Sequence, residues 1–445
     1  MTIRQSIYVN GFDVKLRNLP SSLKRLCLQC NLIDLELNNI PPNVEHIEVD
    51  TKFIPLGIMQ SKTLKSLKIG FDKPVEKGSF PPLLEHLDLG YDFNQSLNGS
   101  LPETLLSIRF SVRYDQPLAG QLPPLTEHVF FPITGVFSQE LKKGDIPDGC
   151  KYLHLPSTWS IQLNRDTFPQ SLTHLYLPRN YNEPIDVDVL PKNLKILDLG
   201  DYNHTLAIGT LPQSLTELSA KGYNKPLERG HLPNSIRKLS FSSFNCRITG
   251  PNYLPNQLEN LNFGREFQKP VHSVHFPKTL KTLKFGVYFN QNIRLKDTNI
   301  THLIFTDFFD KPIAGHLPST LEHLTLSDQF YQPLKVDSFS NCTKLRYLLL
   351  GTYNNHPIPD NTFPHSLETI IFGWHFNQSL KGKLPPNLEV LELGHFYNKR
   401  IEKQTLPPSL KVLRFKVNTK TEEKHSLIDD GALPEGCKIQ IKSQS

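Results

Sequence analysis

Leu190-Pro191-Lys192-Asn193-Leu194-Lys195-Ile196-Leu197-Asp198-Leu199-Gly200, followed by Tyr202-Asn203 and then Leu211-Pro212-Gln213-Ser214-Leu215, is one full turn of a phrase that runs through nearly the whole chain. In general form it reads L-P-x-S/N-L-x-x-L-x-L-G, a short spacer, then F/Y-N-x-P-I/L. Further copies begin at Leu232-Pro233, Leu254-Pro255, Phe276-Pro277, Leu317-Pro318, Phe363-Pro364, Leu384-Pro385 and Leu406-Pro407. Pro169, Pro191, Pro212, Pro233, Pro255 and Pro277 stand 21 or 22 residues apart, and about twenty copies fit along the chain. A period of this size marks a solenoid, which grows by adding coils rather than by enlarging one core.

The phrase dictates the coil. In Leu194, Leu197 and Leu199 the last two leucines alternate with one other residue, which is the period of a half-buried strand. Gly70, Gly90, Gly200, Gly264, Gly286, Gly351, Gly373 and Gly394 follow the strand, where glycine is expected to supply a positive φ. The 36 prolines recur too densely for long helices. The expected fold is therefore a β-rich, leucine-rich-repeat-like solenoid. Its parallel sheet lines the concave face, extended or 3₁₀ structure forms the convex side, and helices are few or absent.

Stacking assigns each residue class a task. The strand leucines pile inward. Phe93, Tyr114, Tyr181, Tyr202, Tyr223, Phe244, Phe267, Phe289, Phe309, Phe376 and Tyr397 are expected to form a second buried stack. Asn94, Asn182, Asn203, Asn224, Asn245, Asn290, Asn377 and Asn398 are expected to form a ladder, because an amide can serve turn groups in its own coil and the next. Phe131 to Asp145 reads as a longer excursion from the rhythm. Residues 1–18 and 416–445 are expected to cap an array spanning 19–415.

Composition narrows the function. The net charge is +6 with acids and bases interspersed, without the basic run that a nucleic-acid or membrane surface would attract. Met1 to Val14 has no apolar core of a signal peptide, and no apolar stretch is long enough to span a bilayer. Cys27, Cys30, Cys150, Cys246, Cys342 and Cys437 form no disulfide framework. These features predict a soluble cytoplasmic protein.

Phe93-Asn94-Gln95, Phe289-Asn290-Gln291, Phe376-Asn377-Gln378 and the Y-N-x-P-L/I variants, each followed by L-P-x-S-L, resemble FNIP repeats. These are relatives of leucine-rich repeats, abundant in social amoebae and in giant DNA viruses that infect amoebae. The resemblance extends from about Leu19 to Phe415, although the third position of the tetrapeptide is polar rather than Ile. It implies a non-enzymatic protein-interaction scaffold. Many such proteins carry an F-box before the repeats, which implies substrate selection for ubiquitin ligation; here the first L-P-x-S-L already begins at Leu19. The alternatives to a scaffold are therefore a ubiquitin-ligase substrate adaptor without a recognisable F-box and a basic nucleic-acid-associated protein.

No chemistry competes with binding. Cys27-Leu28-Gln29-Cys30 is half a zinc motif without a second pair. His46, His86, His128, His174, His302 and His323 share one repeat position on the outer strand surface, which places His302 and His323 about 5 Å apart. No phosphate loop, nucleophile elbow or acid/base pair is visible, and neither metal nor cofactor is expected. The outward strand residues form two columns, mostly charged or polar (Arg25/Cys27, His46/Glu48, Glu217/Ser219). From about His302 they turn apolar. Ile304, Tyr347, Leu349 and Ile371 are expected to form one exposed patch that binds a protein partner, with Tyr347 as its anchor.

Overall fold

The computed structural model describes residues 6–10, 19–29, 41–49, 58, 61–417 and 424–443. The chain divides into two compact units, Met1–Ala220 and Lys221–Ser445. Each is a parallel β-solenoid in which one short strand per coil pairs with the next. In unit 1 the strands are β1 (Ser6–Asn10), β2 (Arg25–Gln29), β3 (His46–Val49), β4 (Ser66–Lys68), β5 (His86–Asp88), β6 (Ser107–Arg109), β7 (His128–Phe130), β8 (Tyr152–His154), β9 (His174–Tyr176), β10 (Ile196–Asp198) and β11 (Glu217–Ala220). In unit 2 they are β12 (Lys238–Phe241), β13 (Asn260–Asn262), β14 (Thr282–Lys284), β15 (His302–Ile304), β16 (His323–Thr325), β17 (Tyr347–Leu349), β18 (Thr369–Ile371), β19 (Val390–Leu393), β20 (Val412–Val417) and β21 (Lys438–Ser443). A 3₁₀ turn spans Lys424–Leu427, and among the described residues no helix is long and apolar enough to cross a membrane.

Register follows the repeat. Leu197 lies opposite Leu175 on one side and Leu218 on the other, so the middle leucines form one inward column. Leu194, Leu197 and Leu199 are fully buried while Lys195 is exposed. The aromatic series forms the second stack: all eleven rings are at most 1% exposed. Phe244, Phe267, Phe289 and Phe309 follow one another with ring centroids 6.0 to 6.1 Å apart. Phe263, Phe285 and Phe305 stand beside this stack, each 3.8 to 4.0 Å from the ring of its own coil.

The Asn ladder is present, with its side chains half-buried or exposed rather than enclosed. Oδ1 accepts a backbone N–H of the next coil: Asn94 from Asp115 at 2.9 Å, Asn182 from Asn203 at 2.8 Å, Asn245 from Gln268 at 3.0 Å. Aspartate serves equally, as Asp310 does for the Tyr331 amide at 2.9 Å, because only an acceptor is needed.

A second ladder explains the Ser or Asn of L-P-x-S/N-L. The proline carbonyl accepts the leucine N–H three residues on, closing a turn, as in Leu215 to Pro212 at 3.1 Å. Ser214 then donates to the carbonyl of Leu194 at 2.6 Å, and Ser409 to that of Leu388 at 2.7 Å. Asn193 reaches the Gln170 carbonyl at 3.0 Å.

One expectation is corrected and one is refined. Gly90 has the anticipated positive φ of 67°, but Gly286 does not. A Cβ there would lie 1.8 Å from the Gly264 carbonyl oxygen. Close approach of the neighbouring coil, rather than dihedral freedom, requires that glycine. The stretch from Phe131 to Asp145 belongs to a longer coil, with 24 residues from His128 to its register partner Tyr152, yet it keeps the interior of its neighbours. Phe137 is buried beside Tyr114 at 6.4 Å, and the Ser138 amide donates to Asp115 at 2.8 Å. Phe137-Ser138 replaces the aromatic-Asn pair there.

Candidate interaction surfaces

On strands such as β10 and β15 the middle residue is buried and its two flanking residues are half-buried. Each unit therefore presents two columns of side chains on its sheet face.

In unit 2 the column after the middle leucine runs Lys284, Ile304, Thr325, Leu349, Ile371, Glu392, Arg414. Leu349 and Ile371 are register neighbours. Tyr347 shares a strand with Leu349 but stands in the other column, between His323 and Thr369. Ile304 is separated from Leu349 by Thr325. The structure thus brings Tyr347, Leu349 and Ile371 together, with Ile304 beyond one threonine, and all four are half-buried. Partial burial raises the Tyr347 hydroxyl pKa above its ordinary value, with the Glu392 charge adding to it.

Glu392 terminates the apolar stretch, and sequence reasoning gave it no role. Its side chain is 5% exposed, with Arg414 Nη1 at 2.9 Å and Lys416 Nζ at 2.8 Å. Burial alone would raise its pKa, but hydrogen bonds from Lys416 and Arg414 outweigh that and hold it below the usual carboxylate range. Arg414 also donates from Nε to Gln440 at 3.1 Å, tying β19, β20 and β21 into one network. Alternation of Glu392, Arg414 and Lys416 on adjacent strands was the available signal.

In unit 1 the early coils carry cross-strand ion pairs. Lys68 meets Glu48 at 2.5 Å and Arg109 meets Asp88 at 3.7 Å. The columns then become aromatic across β7, β8 and β9, where a charged or polar surface was expected. His128, Tyr152 and His174 stack with centroids 4.3 and 4.0 Å apart. Beside them Phe130, His154 and Tyr176 stack at 4.6 and 5.8 Å, and the Arg109 guanidinium covers Phe130 at 4.4 Å. Reading the outward pairs H/F, Y/H and H/Y across consecutive coils would have found this cluster.

Of the six histidines at this repeat position, His302 and His323 are register neighbours and pack face to face. His302 and His323 stack at 4.3 Å with planes 9° apart. Among the described residues no three His, Cys, Asp or Glu side chains are grouped to hold a metal. Cys27 is buried, and burial followed by the Glu48 charge pushes its thiol pKa up; Cys30 lies outside the described residues. Burial likewise pushes the Cys150 thiol up to about 12, the opposite of an activated nucleophile.

The FNIP Repeat family model matches residues 71–112, 93–132, 137–180, 181–219, 223–266, 330–375 and 376–417, more than half of the chain. Among solved structures the chain is similar to CroV588, described as a novel circular LRR protein structure, with a TM-score of 0.68 and 27% identity over 97% of this chain and 74% of that one. It is similar in fold to a chain of the Drosophila Toll–Spatzle complex, with a TM-score of 0.51 and 15% identity over 88% of this chain and 58% of that one. No curated protein matches the sequence.

Proposed function

Because the chain belongs to the FNIP-repeat family, whose leucine-rich-repeat-like coils expose a ready-made sheet face, we propose that it is a non-enzymatic scaffold that binds a protein partner. Leucine-rich-repeat-like folds are typically interaction modules. The observation that carries the reading is the half-exposed apolar run of Ile304, Leu349 and Ile371 beside Tyr347, bounded by Lys284 and Glu392. Apolar side chains clustered on a solvent-facing sheet are costly for solubility and mark interfaces, whereas scattered ones do not. Tyr347 supplies a large apolar body with a polar tip, the kind of residue that anchors interface centres.

The ion pairs of unit 1 favour a protein over a nucleic acid. Lys68 and Arg109 are each engaged by a carboxylate, so the face offers no uninterrupted cationic track for phosphates. The segments 1–18 and 416–445 act in this reading as ends of the array. β1 pairs with β2, and β21 pairs with β20 over six residues.

Site-specific photocrosslinking tests the assignment. A benzoylphenylalanine at Leu349 should give a discrete protein adduct in cells, and one at Lys195 should not. Equal adducts from both positions, or none from Leu349, would place the interface elsewhere.

A further inference from the structure

We propose that the face of unit 1 built by β7, β8 and β9 is a proton-gated docking surface for a carboxylate-rich protein segment. The inference concerns unit 1 alone and stands or falls separately from the apolar run on unit 2.

Hydrogen bonding fixes what this face offers at neutral pH. His154 Nδ1 lies 2.8 Å from the Phe131 carbonyl oxygen, which can only accept, so Nδ1 carries the proton. Thr173 donates its hydroxyl proton to the Lys151 carbonyl at 3.0 Å, and therefore accepts from His174 Nδ1 at 2.8 Å. In both neutral rings Nε2 is consequently a bare lone pair. A carboxylate oxygen arriving there meets repulsion. Protonation turns the same atom into a charged N–H donor without moving the ring, because Nδ1 keeps its partner.

The surrounding charges let these protons, when added, attract an external anion. His128 faces Glu127 and Lys151, with His86 beyond, but Glu127 is already held by Lys151 at 2.6 Å. His154 faces Arg109 from β6 and Asp198 from β10. His174 faces His128 from β7 and Glu217 from β11. Asp88 at 3.7 Å offsets part of the Arg109 charge, and the guanidinium sits over Phe130 at 4.4 Å, one ring away from His154 in the second column. Tyr152 separates His128 from His174 and Phe130 separates Arg109 from His154, while Tyr176 stands between His154 and Asp198. Once protonated, His128, His154 and His174 join Arg109 in a cationic cluster weighted toward the β6–β8 side, since Asp198 and Glu217 lie on the β10–β11 side. Burial lowers all three histidine pKa values, so these three side chains are neutral at neutral pH and proton uptake accompanies anion binding. A multivalent carboxylate segment matches this pattern of spaced donors by charge and by hydrogen bonding.

A fluorescein-labelled poly-aspartate peptide titrated into the full chain at fixed ionic strength tests the proposal. Affinity should rise at least about tenfold between pH 7.5 and pH 5.5, where aspartate stays ionised. Replacing His128→Gln, His154→Gln and His174→Gln together should remove that gain, whereas His302→Gln with His323→Gln should keep it. The single variant His174→Gln, together with perturbation of the His154 and His174 ring proton signals on adding peptide, decides the matter should the triple variant fail to fold. Affinity independent of pH, a full gain in the triple variant, or ring signals unmoved by peptide would each overturn the proposal.

Discussion

The side-chain oxygen of Asn377 accepts the backbone amide of Asn398, one coil further along, at 3.0 Å, while the Asn377 amide itself donates to Asn355 at 2.8 Å. Each side chain of this ladder therefore stitches a turn to its neighbour, outside the reach of the strand hydrogen bonds. Asn377→Ala should lower stability by about 1 kcal/mol, the net worth of one partly solvated hydrogen bond. Asn377→Asp should be close to neutral, since Asp310 fills the same role. Urea midpoints of the three proteins check this, and an equal loss from both substitutions would show that the donor half of the amide matters.

The buried aromatic stack contains tyrosines whose hydroxyls do nothing for stability. Among the described residues the buried Tyr114 and Tyr397 hydroxyls have no hydrogen-bond partner, and burial raises both pKa values. Phenylalanine occupies the equivalent place at Phe244, Phe267 and Phe289. Tyr114→Phe and Tyr397→Phe should each stabilise by up to about 1 kcal/mol, by removing an unsatisfied polar group. A drop in melting temperature for either variant would indicate that the hydroxyl has a partner.

Glu392 is enclosed by two cations, so removing it leaves charges rather than a simple gap. Glu392→Ala should cost about 3 kcal/mol, the lower end for breaking a buried pair, because Lys416 keeps some access to water. The fold should then loosen first at β20 and β21, which hydrogen exchange would reveal as faster exchange of the β20 amides. Unchanged exchange there would mean that the Arg414–Gln440 contact suffices.

Much of this was legible because the repeat writes each role about twenty times. Leu194, Tyr202 and Asn203 can be assigned from their recurrence alone. Single departures were less legible. Tyr353-Asn354 resembles the aromatic-Asn pair, yet Tyr353 is 39% exposed and Asn354 is buried in the ring position, where its amide reaches the carbonyls of Phe330 at 3.1 Å and Gln332 at 3.0 Å. Asn355 takes the ladder position instead. One shifted residue was enough, because a coil fixes which face a side chain takes only through its register with neighbours. The ring cluster of β7 to β9 was missed for a related reason: it exists only across coils. The apolar run around Leu349 was found by reading in that direction, although its half-burial depends on neighbouring side chains that no single repeat specifies.

Histidine burial makes stability depend on pH. His128, His154, His174 and His323 all have folded pKa values lowered, primarily by burial. The unfolded chain thus binds more protons over this range, and stability rises with pH. It should be complete above about pH 6.5, the unfolded histidine value, and be lost progressively below it. Glu392 acts in a separate window, since its lowered pKa removes stability only below the ordinary glutamate value of about 4.3. Urea midpoints at pH 7.5 and 5.5 measure the histidine effect; a higher midpoint at the lower pH would contradict it.

The most direct test of the docking surface is the pair of substitutions Leu349→Lys and Ile371→Lys in one protein. Both side chains are half-buried register neighbours on β17 and β18, so lysine can extend its stem along the sheet and keep its charge in water. Affinity capture from native cells, quantified by mass spectrometry beside thermal melts, should show the partner lost and the melting temperature nearly unchanged. Capture retained at the wild-type level would contradict the account, and so would collapse of the fold, which would make these residues core rather than surface.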